Sequence, residues 1–264
     1  MAPFLDASQE WLGACQCENF RTMSNSVPPI RPDSESRQSE LPEPLDLAPN
    51  WRKENPMRKL VLTMSMSLDG FVSGPGNDIQ WVFSGDQEAI AWKVENLWNA
   101  SLIIMGSRSF RDMAPFWPTS TLVFAPPMNQ LPKAVFSRQG PAVLETAAKG
   151  LRDARSQAGD TQAGQLQPGA ESWAEAYVAN GDLADEITRL KAKDGKPILA
   201  LGGATFARSL IAHDLVDEYM LMVYPIVLGK GLPIFSDLPA PRPLKLVGSK
   251  AFPLGSMAQI YRPA

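Results

Sequence analysis

Apolar positions along this chain are distributed in two contrasting ways. From about residue 27 to residue 56 no apolar position recurs, and the stretch VPPIRPDSESRQSELPEPLDLAPN is crowded with Pro, Ser, Glu and Arg. Such a segment has too little apolar surface to offset the entropy of ordering it. The pattern predicts a disordered N-terminal extension over residues 1–56 and a folded domain over residues 57–264.

The change at Met57 is abrupt. RKLVLTMSMSLDG is a short apolar and β-branched run closed by an Asp-Gly turn signal, which reads as the first core strand. After the loop FVSGPGNDIQW, apolar residues at Ile90, Val94, Leu97 and Trp98 share one helical face, predicting a helix over Asp86–Asn99 with Asp86 as its N-cap. LIIM (Leu102–Met105), TLVFA (Thr121–Ala125) and KAVFS around Phe136 read as three further strands. Residues 145–171 turn to Ala, Gly, Gln and Asp without a firm period, so they are expected to form an inserted loop with a frayed helix at Thr146–Ser156.

Beyond it the pattern regains its regularity. AEAYV reads as a short strand, and Leu183–Lys193 as a helix with Leu183, Ile187 and Leu190 inward. PILALGG reads as a central strand, Thr205–Ala212 as a helix and DEYMLMVYPIVLG as a long strand. Leu244–Val247 and Met257–Tyr261 close the chain as a hairpin. Strands alternating with helices predict an α/β fold, a mostly parallel sheet covered by helices on both faces, with an antiparallel addition at one edge.

Composition narrows the function classes. With 264 residues, 44% of them hydrophobic, the chain can bury a real core. A net charge of −3 and a pI near 5.3 provide no basic field for a polyanion, so nucleic acid is not expected as a partner. Cys15 and Cys17 are the only cysteines, and with one His in the chain they lack the second ligand pair of a zinc site; they read as free thiols, and no metal is expected. No apolar run is long enough to span a bilayer. The N-terminus lacks a secretory signal pattern, and Asp6, Glu10 and Glu18 argue against a transit peptide, so a cytoplasmic protein is expected.

Candidate chemistry gathers where strands meet helices. LALGGATFARSLIAHDLVDE delivers Gly202 and Gly203 from a buried strand to the start of a helix, where backbone N–H groups and the helix dipole suit a phosphate. A tight βα turn requires glycine whether or not anything binds there, so both readings stand. IIMGSRSF places Gly106, Ser107, Arg108 and Ser109 at a second strand end, and VFSRQG places Ser137 and Arg138 at a third, where hydroxyl and guanidinium suit a phosphate monoester. In open α/β sheets ligands sit in the crevice beyond such strand ends. Asp69 follows the first strand as a turn former or an active-site group. Trp81 either stacks on a flat heterocycle or plugs the core, and Tyr224 with Pro225 is a candidate for lining the cleft. His213 sits at a helix C-terminus, where capping is the favoured role, and Lys230 reads as an exposed loop charge.

The segments SLDGFVSG, NDIQW, LIIMGSRSF, VFSR and LALGGATFARSLIAHDLVDEYMLMVYPIVLGKGLPIF together resemble the reductase domain of bacterial riboflavin biosynthesis and the stand-alone reductases grouped with dihydrofolate reductase. The resemblance runs from about Lys59 to Tyr261. It implies a dihydrofolate-reductase-like fold, an NADPH-dependent oxidoreductase, a homodimer and a small heterocyclic substrate, with 5-amino-6-(5-phosphoribosylamino)uracil or a related pyrimidine or pterin leading. By motif, Gly106, Ser107 and Arg108 would meet the cofactor's phosphates, with Ser137 and Arg138 near its 2′-phosphate. Gly202, Gly203, Ala204 and Thr205 would hold the pyrophosphate. Asp69 would be the catalytic residue, with Ser67, Trp81 and Tyr224 at the substrate. Three departures stand out. The position around Ala89 and Ile90 has none of the carboxylate that dihydrofolate reductase uses on its first helix, RDMAPFW replaces an Asp-Asp-Pro stretch, and residues 1–56 contain no deaminase zinc signature. The competing reading is a non-catalytic NADPH-binding or ligand-sensing domain. A protein-interaction role would rest on the PPIRP and LPEPL segments of the extension.

Overall fold

The computed structural model describes residues 57–83, 85–157, 165–236, 238 and 240–264; the expectation for residues 1–56 falls outside them. The domain opens with β1 (Leu60–Ser67) and β2 (Phe71–Ser73), then α1 (Gln87–Trp98), β3 (Leu102–Gly106), α2 (Ser107–Met113) and α3 (Ala125–Gln130). It continues with β4 (Lys133–Phe136), α4 (Glu145–Gln157), β5 (Tyr177–Ala179), α5 (Leu183–Lys191), β6 (Ile198–Ala200) and α6 (Ala204–Ala212). The chain closes with β7 (Glu218–Tyr224), β8 (Leu232–Pro233), β9 (Leu244–Ala251) and β10 (Met257–Pro263). Eight strands form one sheet in the order β5-β4-β3-β6-β1-β7-β10-β9, and β2 pairs with β8 apart from it. The strands from β5 to β7 run parallel, whereas β10 and β9 add antiparallel at the edge, as the hairpin pattern predicted.

Side chains alternate across each strand, and both sets are buried. Leu60, Leu62, Ile104, Ala134, Ile198 and Ala200 pack on one face with Ile187 and Leu190 of α5 and Ala207, Leu210 and Ile211 of α6. Val61, Ile103, Met105, Val135 and Leu199 face the other way, against Leu97 of α1, Phe110 of α2 and its C-cap Ala114, Met128 of α3 and Ala147 of α4. This double covering explains why LIIM is a continuous apolar run rather than an alternating one. Asp86 caps α1 as expected, its carboxylate accepting from the Ala89 N–H at 3.1 Å and also from Leu254 N–H at 2.8 Å. His213 is the C-cap of α6, with Nδ1 2.8 Å from the Ser209 carbonyl oxygen.

Three sequence expectations require correction. TLVFA is not a strand: it turns into α3, because Pro126 and Pro127 supply the fixed φ and missing N–H suited to a first helical turn and not to a ladder. The long strand stops at Tyr224, because Pro225 has no N–H to continue it, and Ile226 N–H folds back to the Tyr224 carbonyl at 2.8 Å. Within residues 145–171, the helix is a full one over Glu145–Gln157, with Ala147, Leu151 and Ala154 buried along one face. Alanine made its apolar stripe too faint to read. Residues 158–164 lie outside the described residues, and beyond them Gln167 N–H bonds the Pro118 carbonyl at 2.7 Å.

Candidate functional site

Because β5 to β7 are parallel, their C-terminal ends share one edge of the sheet. The chain leaves β1, places β3, β4 and β5 progressively outward, and then returns to insert β6 between β3 and β1. That reversal of strand order is where a crevice opens in such sheets. β6 is short, only Ile198–Ala200. Register ends at Leu62 opposite Ala200 on one side and Ile104 opposite Ala200 on the other. Thr63–Ser67 of β1 and Met105–Gly106 of β3 therefore run on with a gap between them, floored by the turn at residues 201–203.

The turn itself leaves the sheet through two left-handed residues, Gly202 at φ 69° and Gly203 at φ 47°. A Cβ at Gly203 would lie 2.7 Å from Ser109 Oγ, and one at Gly202 3.0 Å from the same atom, so α2 and the turn meet closely. Gly203 is also the N-cap of α6 and has no side chain to occupy the helix's leading N–H groups, which Ala204 and the exposed Thr205 begin. Gly106 caps α2 in a similar way, and a Cβ there would be 3.1 Å from Phe206 Cβ on α6. Phe206 in turn packs on Phe136 with ring centroids 5.0 Å apart.

Gly106 stands in register with Phe136, so Ser107 and Arg108 follow one strand end directly beside Ser137 and Arg138 on the next. The Ser137 hydroxyl is buried and accepts from Gln139 N–H at 3.2 Å, which makes it a turn former first. Arg111 ties α2 to this turn through Gln139 Oε1 at 3.0 Å. Arg108 and Arg138 are both exposed, and neither enters an ion pair among the described residues. The glycines, both arginines and Ser109 stand at strand ends, as the sequence pattern placed them, whereas Arg111 and Phe206 contribute through contacts and leave no motif.

On the β1 side the polar groups are mostly spent internally. Ser67 is 1% exposed, donates to Asp69 Oδ1 at 2.6 Å and accepts from Phe71 N–H at 2.9 Å, so it belongs to the scaffold and not to the substrate surface as expected. The Asp69 carboxylate also accepts from Leu228 N–H at 3.1 Å and Gly229 N–H at 2.7 Å. The Ser67 hydroxyl, followed by these amides, holds its pKa below the ordinary carboxylate value. The carboxylate is an exposed anion that clamps two loops together. Trp81 sits half-buried in a 3-10 turn with its ring edge-on to Tyr224, centroids 5.5 Å apart. Tyr224 is buried, and its hydroxyl receives a short hydrogen bond from Lys93 on α1, which also approaches Ser65 Oγ at 3.4 Å. Lys93 and Ser65 carry no motif. Their signal is positional: Lys93 lies one turn beyond Ala89, and Ser65 two residues before Ser67 on the same strand face.

The candidate site thus lies in a mostly parallel eight-stranded sheet covered by helices on both faces and extended by a C-terminal antiparallel hairpin. Residues 58–257 match the family model for the RibD C-terminal domain, and the chain belongs to that family. The uncharacterized protein YyaP of Bacillus subtilis is 26% identical over 204 residues, covering 77% of this chain and 94% of that one. A putative riboflavin biosynthesis protein from Shewanella has a similar structure, with TM-score 0.54 and 19% identity over 78% of this chain and 99% of that one. The diaminohydroxyphosphoribosylaminopyrimidine deaminase/5-amino-6-(5-phosphoribosylamino)uracil reductase of Thermotoga maritima matches with TM-score 0.53 and 19% identity, over 79% of this chain and 57% of that one.

Proposed function

We propose that this chain is an NADPH-dependent reductase that transfers a hydride to a small heterocyclic substrate, with 5-amino-6-(5-phosphoribosylamino)uracil or a related pyrimidine as the leading candidate. Membership of the RibD C-terminal family supports the reductase class. The observation that carries the cofactor reading is the crevice beside β6. There the turn passes through two left-handed glycines packed against Ser109, the α6 N-terminus has no side-chain cap, and two exposed arginines, in no ion pair among the described residues, flank adjacent strand ends.

These residues fit a dinucleotide with an extra phosphate. Gly202, Gly203, Ala204 and Thr205 would hold the pyrophosphate through backbone N–H groups, and Gly106, Ser107 and Arg108 would support it. Arg138 would read the 2′-phosphate, with Ser137 shaping the turn that presents it. When bound, the nicotinamide supplies the hydride. The chain contributes orientation and the exclusion of water from the crevice.

Parallel calorimetric titrations with NADPH and NADH test this reading, repeated with Arg138→Ala and Gly203→Val. NADPH is expected to bind more tightly than NADH, Arg138→Ala to remove most of that preference, and Gly203→Val to weaken both nucleotides. Absence of binding by either nucleotide overturns the assignment. Binding without consumption of NADPH by any pyrimidine or pterin acceptor would favour the ligand-sensing alternative.

A further inference from the structure

Lys93 is a half-buried cation with no counter-ion among the described residues. It extends from α1 to the C-terminal ends of β1 and β7, where its ammonium donates to the Tyr224 hydroxyl and approaches Ser65 Oγ at 3.4 Å. Glu88 and Glu95, the carboxylates of α1 itself, are exposed, and Lys93 forms no ion pair among the described residues. Asp86 is engaged by Ala89 and Leu254 N–H groups, and Asp69 by Ser67, Leu228 and Gly229. An ammonium has three protons, and two neutral oxygens engage at most two of them. The remaining donor sits beside Ser65, on the stretch of β1 that borders the gap left by β6, with the half-buried Trp81 ring nearby against Tyr224. A flat ring that enters this end of the crevice therefore meets a positive donor where a carboxylate would read a ring edge made of amino and protonated nitrogen groups.

Resting on the reductase reading above, we propose that Lys93 is the substrate-recognising residue of the crevice. It selects planar rings that present a carbonyl or anionic oxygen, such as pyrimidinediones, and it discriminates against 2-amino-substituted rings. Tyr224 is a positioning residue: its hydroxyl holds the ammonium in place while its ring supports Trp81. The preference arises from pairing, because an oxygen acceptor satisfies the free donor, whereas an amino or protonated nitrogen placed there leaves donor facing donor.

The test uses the full chain and two probes of similar size, barbiturate as the oxygen-rich ring anion and 2,4-diaminopyrimidine as the amino-rich ring. Each is titrated calorimetrically with and without NADPH. Barbiturate is expected to bind at least tenfold more tightly than 2,4-diaminopyrimidine. Lys93→Met should weaken barbiturate at least tenfold while changing the NADPH affinity less than twofold, and Tyr224→Phe should weaken barbiturate by a smaller factor with NADPH again unchanged. Thermal melts of both variants verify that they remain folded. Equal or tighter binding of the diamino ring, no binding of barbiturate, or barbiturate affinity indifferent to Lys93→Met would each overturn the proposal. Failure of NADPH binding alongside Lys93-dependent barbiturate binding would overturn the cofactor reading and leave the ring recognition standing.

Discussion

Lys133 offers a quantitative test of how the scaffold beneath the site is built. It is 3% exposed at the start of β4. Its ammonium donates to the carbonyl oxygens of Leu131 at 2.7 Å and Asn129 at 3.3 Å and to Ser172 Oγ at 2.6 Å, with the Trp173 ring centroid 4.7 Å away. Burial lowers its pKa from 10.5 to about 7. The unfolded chain keeps the proton up to its ordinary pKa while the folded chain sheds it near pH 7. Between about pH 7 and 10.5 the unfolded state thus binds more protons, and stability rises with pH; below pH 7 both states are charged and the penalty is complete. At about 1.4 kcal/mol per pH unit the limit is about 5 kcal/mol, and the three oxygen acceptors that hold the ammonium reduce it. Urea unfolding followed by tryptophan fluorescence at pH 7 and pH 9, on the native chain and on Lys133→Met, isolates this residue. The stability difference between the two proteins is expected to grow by about 2 kcal/mol across that interval, in favour of the native chain at the higher pH. A difference that stays constant to within about 0.5 kcal/mol would refute the assignment of the shift to this buried amine.

Two further perturbations bear on the site. Gly203→Ala forces a Cβ into a left-handed residue and within 2.7 Å of Ser109 Oγ. It is expected to cost roughly 1–3 kcal/mol, of which Ser109→Ala in the double mutant restores only the steric share, as measured by denaturant titration of the four-protein cycle. Asp69→Asn removes the anion that clamps residues 228 and 229, so amide exchange at Leu228 and Gly229 should accelerate while the melting temperature changes little. Because the folded pKa of Asp69 is depressed, the clamp holds above the ordinary carboxylate range and fails as pH falls below it. Exchange rates at those two amides that match the native chain at neutral pH would argue against the clamp.

Much of this organisation was legible in the sequence, for identifiable reasons. β1, β3 and β4 announce themselves because both of their faces are buried, which leaves unbroken apolar runs. Asp86 and His213 sit where helix-end chemistry places them. TLVFA misled because its composition suits a strand, and only the two prolines that follow decide otherwise. In the site, the glycines and arginines were visible as motifs at strand ends. Lys93 and Ser65 were not, because their importance comes from contacts between segments far apart in the chain. Asp69 was visible as a turn carboxylate in a conspicuous motif, but its bonds to the amides of Leu228 and Gly229, some 160 residues away, were not.

The two sides of the crevice follow from one local decision of the chain. At Leu201 the backbone still bonds across to Ile104, with Leu201 N–H to the Ile104 carbonyl at 3.0 Å, and then two successive positive-φ residues carry it out of the sheet. Had Gly202 and Gly203 been ordinary residues, β6 could have continued between β1 and β3 and filled the gap with side chains. Ending it early exposes a stretch of β1 on one side and starts α6 on the other. The turn side keeps its donors unspent, in the backbone of residues 203–205 and in Arg108 and Arg138. The β1 side spends Ser67 and Asp69 on holding loops, which leaves the half-buried Lys93 beside Ser65 at the gap. On the readings proposed above, a phosphate-bearing ligand would lie along the turn and a small oxygen-bearing ring against β1, the division of labour a two-substrate reductase requires.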